Sequence, residues 1–412
     1  MDYGCIGERL SHSFSKEIHA CLADYDYEIR EIPRGELAAF MTARDFRAIN
    51  VTIPYKQDVI PFLDEIDPIA TAIGAVNTIV NRGGKLYGYN TDFAGMSALL
   101  RRAGIALDGK KVLILGSGGT SKTAVAVANA LGARVVIRVS RSLKDGCMTY
   151  EDALSLHADT EVILNTTPCG MYPHPDDQPI DLEKFPRLIG VADAIYNPLR
   201  SRLVRQAQSL GIPAAGGLYM LVAQAVVAVE HFLDTTVPED TIETVYRKIR
   251  NDKQNLVLIG MPGCGKTTLG KRLAQKRGMA FIDTDDLIRE QAGTDIPTIF
   301  ANHGETGFRD IESAVIRSLE SVQNTVIATG GGAILRSENV HVLRANGRLC
   351  FLDRPLDALV TTADRPLSSN SELLRQRYNE RYDLYCAAAD YTVDCVPDMS
   401  HNIRLMEERF IK

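Results

Sequence analysis

The sequence lacks the segments that would direct it to a membrane, a secretory route or a nucleic acid. Its N-terminus has no signal-peptide pattern, and its longest apolar runs, such as residues 221–229, are interrupted by Gln224 and are too short to span a bilayer. Charged residues form no block of one sign and no basic stripe, and the net charge is −6. We therefore expect neither nucleic acid nor an anionic membrane as a main partner.

Cysteine spacing typical of zinc sites is also absent. The eight cysteines stand singly, with no CxxC pair and no Cys/His pairing at zinc spacing. Free thiols in a reducing cytoplasm are the simplest interpretation. At 412 residues, with 45% hydrophobic and 24% charged side chains, the chain is predicted to be a globular protein of two or three domains.

A phosphate-binding loop is the clearest motif that is present. Residues 260–267 (GMPGCGKT) match GxxxxGK[ST] and follow a short apolar run, residues 256–259, that predicts a buried parallel strand. Glycines let successive N–H groups turn around a phosphate, Lys266 meets the outer phosphates, and Thr267 offers its hydroxyl to Mg²⁺. The alternative, a chance glycine-rich turn, is disfavoured by the helix expected over residues 266–276. The candidate nucleotide-binding residues are Gly263, Cys264, Gly265, Lys266, Thr267 and Thr268.

Acidic and basic residues follow the later strands of this region. A strand over residues 280–282 leads into Asp283 and Asp285, and acids at this position suit Mg²⁺ or a substrate hydroxyl. The alternative is a helix N-cap with acids in its first turn. A strand over residues 326–328 leads into Gly330, Gly331 and Gly332. Three arginines on separate segments could converge on a carboxylate and a transferring phosphoryl group: Arg309, where a helix is expected to open, Arg365 in a loop, and Arg381 on a helix.

Residues 1–92 predict a mixed α/β lobe. Strands are expected at residues 3–6, 27–32, 48–53, 76–80 and 85–89, and helices from residues 16 and 35. The polar residues gathered where these strands end are Ser13, Ser15, Asn50, Thr52, Lys56, Asn77, Asn90, Thr91 and Asp92. Hydroxyls and amides of this kind suit a small polyol, and Lys56 with Asp92 could form a proton-transfer pair. Caps and turns use the same residue types, so a purely structural role stays open.

The next region predicts a dinucleotide-binding lobe. A buried-strand pattern at residues 110–115 is followed by a variant of GxGxxG and a helix to about residue 131; the motif residues are Gly116, Gly118, Gly119, Thr120 and Ser121. The strand over residues 133–139 leads into Ser140, Arg141 and Ser142, and no acid lies between residues 134 and 142. An NAD site uses an acid there, whereas a guanidinium and hydroxyls suit a 2′-phosphate, so NADP is the predicted cofactor. The alternative is that Arg141 is a solvated surface charge. Further strands are expected at residues 161–165 and 188–194, and helices from about residues 199 and 217 and over 239–249.

Seven motifs in residues 1–250 resemble shikimate dehydrogenase. They are HSFS at 12–15, NVTIPYK at 50–56, GAVNT at 74–78, GYNTD at 88–92, GSGGTS at 116–121, NTTPCGM at 165–171 and YMLVAQA at 219–225. The resemblance implies a substrate lobe formed by residues 1–92 and 218–250 and a Rossmann-like NADP lobe formed by residues 93–217. It also implies reduction of 3-dehydroshikimate by NADPH, with Lys56 and Asp92 as the catalytic pair. The residues implied to hold the substrate are Ser13, Ser15, Thr52, Asn77, Tyr196 and Gln224.

Residues 253–412 resemble shikimate kinase. The motifs are GMPGCGKTT, DTD, FR-x-x-E at 308–312, GGG, DRPL and R-x-x-x-Y at 381–385. The resemblance implies that Asp285 grips the hydroxyl to be phosphorylated and that Asp283 helps to bind the metal. It implies that Arg309, steadied by Glu312, holds the substrate carboxylate together with Arg381, and that the N–H groups of Gly330 to Gly332 meet the ring hydroxyls. Arg365 is implied to belong to a closing lid, and Thr361 and Thr362 stand where an arginine near adenine is expected.

The two resemblances predict a bifunctional cytoplasmic enzyme, because the product of the first half is the acceptor of the second. The expected fold is a mixed α/β substrate lobe and a Rossmann-like lobe in residues 1–250, followed by a P-loop kinase domain of parallel α/β type in residues 251–412. Two alternatives remain. A non-catalytic sensor built on the same folds should have lost Lys56, Asp92, Lys266 or Asp285, and all four are present. A quinate or shikimate oxidiser using NAD is disfavoured by the basic turn at residues 140–142.

Overall fold

Strands and helices alternate along most of the chain in the computed structural model, which describes residues 1–8, 10, 13–143, 146–359 and 371–411. Internal contacts divide the chain into two units, Met1–Arg250 and Asn251–Lys412. The predicted lid residue Arg365 lies outside the described residues, as do Thr361 and Thr362.

The first unit opens with a mixed six-stranded sheet. Its strands are β1 (Tyr3–Gly7), β2 (Tyr27–Glu31), β3 (Ala48–Val51), β4 (Glu65–Ile66), β5 (Thr78–Arg82) and β6 (Lys85–Tyr89). They lie in the order β2-β1-β3-β5-β6-β4, with β1 parallel to both of its neighbours and β5 antiparallel to both of its own. The helices of this part are α1 (Ser15–Leu22), α2 (Leu37–Ala43) and α3 (Pro68–Ile73).

A five-stranded parallel sheet follows in the same unit. Its strands are β7 (Lys111–Leu115), β8 (Val135–Val139), β9 (Val162–Asn165), β10 (Gly190–Asp193) and β11 (Ala214–Ala215), in the order β11-β10-β9-β7-β8. The helices are α4 (Asp92–Arg102), α5 (Gly119–Ala130), α6 (Tyr150–Leu156), α7 (Arg202–Ser209), α8 (Leu218–Leu233) and α9 (Thr241–Lys253). Strand β7, which lies between β9 and β8, is buried along its length, which explains its continuous apolar sequence after Lys111.

Helix α8 joins the two sheets of the first unit. Its Met220 packs in the apolar cluster around β7, whereas its Ala228 and Phe232 pack with residues of β1, β2 and β5. Gly95 allows α4 to cross α8 closely, because a Cβ there would lie 2.7 Å from the carbonyl oxygen of Met220. The chain after residue 217 therefore returns to the first sheet and carries Gln224 with it.

The second unit is a five-stranded parallel sheet with helices between its strands. The strands are β12 (Asn255–Ile259), β13 (Ala280–Asp283), β14 (Thr325–Ala328), β15 (Gly347–Asp353) and β16 (Tyr391–Asp394), in the order β13-β14-β12-β15-β16. The helices are α10 (Lys266–Arg277), α11 (Thr284–Ala292), α12 (Ile296–Ser318), α13 (Ser337–Asn346), α14 (Ser371–Ala388) and α15 (Met399–Ile411).

Some elements depart from the sequence expectations. Helices α3, α4 and α6 were not predicted from the sequence. Helices α3 and α6 have six and seven residues, which are too few for a clear period of 3.6, and α4 contains Gly95, which weakens its helical signal. Arg309 does not begin a helix but lies inside α12, which is broken at Gly304 with φ 66° and ψ −174°. Helix α9 runs to Lys253 rather than to residue 249, so Gln254 alone separates it from β12.

Candidate active sites

Lys56 and Asp92 form the centre of the candidate reduction site. Lys56 stands in the turn after β3, and Asp92 is the first residue of α4. Lys56 Nζ donates to Asp92 Oδ2 at 2.5 Å, and the two side chains are only 13% and 7% exposed. The second carboxylate oxygen accepts from Asn77 Nδ2 at 3.0 Å. Because both oxygens are engaged, the carboxylate holds the ammonium group at one place in the site.

Asn77 and Gln224 extend this network to α8. Asn77 Oδ1 accepts from the backbone N–H of Thr91 at 2.7 Å, which orients the amide. Asn77 Nδ2 donates to Gln224 Oε1 at 3.3 Å, and Thr91 Oγ1 donates to the same oxygen at 3.2 Å. Two predicted substrate-binding residues from distant parts of the chain therefore meet beside the Lys56–Asp92 pair.

Ser13, Ser15 and Tyr196 form a separate polar group. Ser13 Oγ donates to Ser15 Oγ at 3.0 Å, and the ring of Phe14 packs against Tyr196 with centroids 5.2 Å apart. Burial raises the pKa of Tyr196 to about 12, and its hydrogen bond with Ser13 opposes this shift. The phenol therefore stays protonated near neutral pH and can donate a hydrogen bond. Thr52 is half-buried just beyond β3.

The glycine-rich loop of the parallel sheet lies directly against the side chain of Lys56. A Cβ at Gly119 would lie 3.2 Å from Lys56 Cβ, so the first turn of α5 touches the predicted proton donor. Gly116 has φ 121°, which favours glycine, and Gly118 is exposed, with no atom within 4 Å of an added Cβ. This open loop at a helix N-terminus fits the pyrophosphate of a dinucleotide.

The turn predicted to bind a 2′-phosphate follows β8 and approaches the same loop. Ser140 is buried, and its Oγ donates to Ser117 Oγ at 3.4 Å. Arg141 and Ser142 are exposed. This placement is compatible both with contact to a 2′-phosphate and with a solvated charge, so the assignment of these residues remains a prediction. Thr120 is half-buried in the first turn of α5.

Asp193 is a residue that the sequence analysis did not identify. At the end of β10 it accepts from Asn165 Nδ2 at 3.0 Å, the backbone N–H of Ile195 at 3.0 Å and Ser201 Oγ at 2.6 Å. Burial raises its pKa to about 6, and these hydrogen bonds oppose the shift. Asp193 therefore ties the end of β9 to the turn that carries Tyr196. The signal available in the sequence was an acid, Asp193, at the end of the otherwise apolar strand β10.

In the second unit, Lys266 is held on the phosphate loop. Its Nζ donates to the carbonyl oxygens of Gly260 and Met261 at 2.8 and 3.0 Å, and the residue is buried. Gly265 precedes it as the N-cap of α10 with φ 102°. Cys264 is buried, and its Sγ lies 3.8 Å from Lys266 Nζ. The loop thus keeps the ammonium group where outer phosphates are expected.

Thr267 and Asp283 meet beside this loop. Thr267 Oγ1 donates to Asp283 Oδ2 at 2.7 Å, and Asp283 Oδ1 accepts from the backbone N–H of Asp285 at 3.0 Å. Asp283 is therefore both the N-cap of α11 and the partner of the loop threonine, so the N-cap alternative involves the same side chain as the metal prediction. Gly263 is half-buried, and Thr268 is exposed.

Asp285 and Glu312 converge on the first glycine after β14, and Arg309 pairs with Glu312. A Cβ at Gly330 would lie 2.7 Å from Glu312 Oε1 and 2.9 Å from Asp285 Oδ1. Arg309 Nη1 donates to Glu312 Oε2 at 2.6 Å, and both residues are buried. Burial raises the pKa of Glu312, and the Arg309 guanidinium opposes this shift. The buried pair fixes the direction of the guanidinium.

The next two glycines contact both predicted carboxylate-binding arginines. A Cβ at Gly332 would overlap the guanidinium of Arg309. Arg381 Nη1 donates to the carbonyl oxygen of Gly331 at 3.2 Å, and the Tyr385 hydroxyl donates to the same oxygen at 2.5 Å. Buried arginines from α12 and α14 therefore reach one short glycine segment, where a carboxylate could bind both.

Together, these arrangements define the class of each unit. The first has a dinucleotide-binding sheet whose glycine loop touches a lysine–carboxylate pair, which is the architecture of a nicotinamide-dependent oxidoreductase. The second places acids and arginines beside a phosphate loop, as in phosphotransferases of the P-loop class.

Comparison with known proteins names the family. Residues 5–79 match the shikimate dehydrogenase substrate binding domain, and residues 262–403 match shikimate kinase. Shikimate dehydrogenase (NADP(+)) of Clostridium beijerinckii is 34% identical over 267 residues, covering 61% of this chain and 98% of that protein. Its counterpart in Geobacillus kaustophilus is 36% identical, covering 55% and 91%. The chain therefore belongs to the shikimate dehydrogenase family and carries a shikimate kinase domain after it.

Solved structures agree with this assignment. Shikimate dehydrogenase 1 of Peptoclostridium difficile is 33% identical and covers 60% of this chain and 98% of its own, with a TM-score of 0.57. The Thermus thermophilus enzyme in complex with NADP(H) and shikimate is 27% identical and covers 60% and 99%, with a TM-score of 0.54. Both predicted resemblances and the predicted fold class are confirmed.

Two features are absent from the described residues. No helix among them combines the length and apolar character needed to cross a membrane. In the same parts of the chain, no group of three or more His, Cys, Asp or Glu side chains is arranged to hold a metal ion.

Proposed function

We propose that this chain catalyses two consecutive steps of the shikimate pathway. Residues 1–250 reduce 3-dehydroshikimate to shikimate with NADPH, and residues 251–412 phosphorylate the 3-hydroxyl of shikimate with ATP. The observation that carries the proposal is the Lys56–Asp92 pair held against the glycine loop of a shikimate dehydrogenase family member. For the second step the support is the shikimate kinase match together with the cluster around Gly330 to Gly332.

In the reduction, Lys56 manages the proton. Bound NADPH supplies the hydride that adds to the ketone carbon. The Lys56 ammonium donates a proton to the ketone oxygen, which becomes the hydroxyl, and Asp92 keeps the ammonium directed at that oxygen. The side chains that bind the substrate carboxylate and hydroxyls are Ser13, Ser15, Thr52, Asn77, Tyr196 and Gln224.

The loop residues fit NADP. The N-terminal turn of α5, with Gly116, Gly118, Gly119 and Thr120, binds the pyrophosphate through backbone N–H groups. The residues at 140–142 bind the 2′-phosphate, because a guanidinium with two neighbouring hydroxyls supplies several donors to that group. The contact of Gly119 with Lys56 supports a nicotinamide position close to the proton donor.

In the phosphorylation, Asp285 accepts the proton of the 3-hydroxyl. The hydroxyl oxygen of shikimate bonds to the γ-phosphorus, and the bond between this phosphorus and the oxygen that leaves with ADP breaks. Arg309 and Arg381 hold the carboxylate of shikimate, and Gly331 and Gly332 bring N–H groups to the ring hydroxyls. The N–H of Gly330, predicted to do the same, instead donates to Thr284 Oγ1 at 3.0 Å. Lys266 and the lid residue Arg365 stabilise the negative charge of the transferring group.

Thr267 and Asp283 are the residues proposed to hold Mg²⁺. Their side-chain oxygens lie 2.7 Å apart, and Mg²⁺ is commonly bound by one or two such groups together with waters and nucleotide phosphates. When bound, the ion neutralises charge on the phosphates. All eight cysteines carry free thiols, which supports a reducing, cytoplasmic location.

One coupled assay tests the proposal. The purified chain receives 3-dehydroshikimate, NADPH, ATP and Mg²⁺, and both NADPH absorbance and ADP release are followed. We expect NADPH oxidation without ATP, and ADP release only once shikimate has formed or been added. NADH in place of NADPH should be a poorer reductant. A folded chain that consumes neither cofactor would contradict the proposal, as expected for a ligand sensor.

A further inference from the structure

Arg354 is a charged residue beside the phosphate loop that the proposed mechanism does not use. Strand β12, which leads into the loop, pairs with β15 so that Ile259 lies opposite Phe351. Arg354 is the first residue after β15, at the edge of the sheet where the loop begins. A Cβ at Gly260, the first loop residue, would lie 2.8 Å from the carbonyl oxygen of Leu352. The end of β15 therefore borders the loop.

The guanidinium of Arg354 lies close to the last glycine of the loop. Its Nη1 is 3.9 Å from the position that a Cβ of Gly265 would take, and the residue is half-buried. Gly265 is the N-cap of α10, where backbone N–H groups and the positive helix end attract an anion. Burial raises the pKa of Cys395, just after β16, to about 12, and the charge of Arg354 opposes this shift. Arg354 is thus near both the loop and the end of β16.

Within the ranges that the structure describes, Arg354 has no ion pair and no hydrogen bond. The adjacent carboxylate of Asp353 accepts from the Tyr382 hydroxyl at 2.9 Å. Among the described residues, Lys266 donates to carbonyl oxygens of its own loop and to the Sγ of Cys264. Lys266 and Arg354 are therefore two cations beside one anion-binding loop, and neither has a carboxylate partner among these residues. Both are stabilised when an anion binds to the loop.

The acceptor residues stand on the other side of β12. Asp285 follows β13, and Gly330 to Gly332 follow β14, whereas β15 lies on the opposite side of β12 from both strands. We propose that Arg354 is a nucleotide-binding residue that pairs with the phosphate chain of a bound nucleoside triphosphate. This role rests on the proposed kinase function. The planar guanidinium presents paired donors that match two phosphate oxygens.

Nucleotide binding by the full chain tests this role. ADP with Mg²⁺ is titrated calorimetrically into the wild-type chain, Arg354→Ala and Arg272→Ala. Arg272 is exposed on α10, so its removal is a matched loss of one positive charge. We expect the Kd for ADP and the KM for ATP to rise about tenfold in Arg354→Ala and to change less than about twofold in Arg272→Ala. The KM for shikimate and the reduction by NADPH should stay constant in both variants.

Arg354→Lys should recover part of the affinity, because it restores the charge without the paired donors. An unchanged Kd in Arg354→Ala, an equal rise in Arg272→Ala, or a rise confined to the KM for shikimate would overturn the proposal. Absence of nucleotide binding by the wild-type chain would also overturn it. A wild-type chain that binds ADP but does not phosphorylate shikimate would refute the kinase activity alone, and the Kd values would still decide the role of Arg354.

Discussion

Replacing Lys56 by methionine tests the reduction mechanism and the independence of the two sites in one sample. Methionine keeps most of the side-chain length and removes the charge that Asp92 holds at 2.5 Å. The proposed kinase site uses none of the residues around Lys56 and serves as the internal control. We expect Lys56→Met to lose NADPH-dependent reduction and to keep ATP-dependent phosphorylation of added shikimate.

The magnitudes follow from the role and burial of the pair. A positioned general acid contributes ~10²–10⁴-fold in rate, or about 3–5 kcal/mol of activation free energy. The substitution also leaves the Asp92 carboxylate, only 7% exposed, with Asn77 as its one side-chain donor among the described residues. Removing one partner of a buried ion pair lowers the free energy of unfolding by about 3–5 kcal/mol. Because Lys56 is 13% exposed, we expect a loss near the lower limit of this range.

A double variant separates the two effects. In Lys56→Met/Asp92→Asn the uncompensated charge is gone, so the calorimetric unfolding midpoint should return part of the way to the wild-type value while reduction stays absent. Activity is measured as kcat/KM from NADPH absorbance. If Lys56→Met kept more than about a tenth of the wild-type kcat/KM, Lys56 would not be the proton donor. Loss of phosphorylation in a folded variant would refute separate sites.

Four further substitutions test other parts of the two sites. Lys266→Ala should lower phosphorylation ~10²–10³-fold and leave NADPH oxidation unchanged, and loss of both activities would contradict this. Gly332→Ala displaces the Arg309 guanidinium, so the KM for shikimate should rise about tenfold in the kinase reaction. The control is Gly35→Ala, which should change neither reaction because its added Cβ meets no atom within 4 Å. Arg141→Ala should reduce the preference for NADPH over NADH about tenfold, and an unchanged ratio of kcat/KM values would support the surface-charge alternative. Burial raises the pKa of Asp193 from 3.8 to about 6, so the folded state binds this proton more tightly than the unfolded state does. The free energy of unfolding should therefore fall by up to about 3 kcal/mol as the pH rises from about 4 to above 6. Denaturation curves at several pH values measure this fall, and Asp193→Asn should remove it. An equal dependence on pH in both proteins would refute the role of Asp193.

Local sequence was sufficient to recognise the phosphate loop, because its glycines, Lys266 and Thr267 are nearly consecutive in the chain. It was less selective in the first lobe, where polar residues at strand ends include structural ones. Asn50 accepts from the Tyr27 hydroxyl at 2.6 Å, and Asn90 donates to a backbone carbonyl oxygen at 2.8 Å. Such residues have the same type and the same position at a strand end as Asn77, so only the resemblance to the family separated them.

The sequence by itself determined the two α/β units, the glycine loops, and Lys56 and Asp92 as candidates. The meeting of Asn77 with Gln224, the anchoring of the Tyr196 turn by Asp193 and the approach of Arg354 to the phosphate loop were decided only by the tertiary structure. These contacts depend on which strands become neighbours and on where α8 crosses the first sheet. A period of 2 or 3.6 residues reports which face of an element is buried, but it contains no information about which other element covers that face.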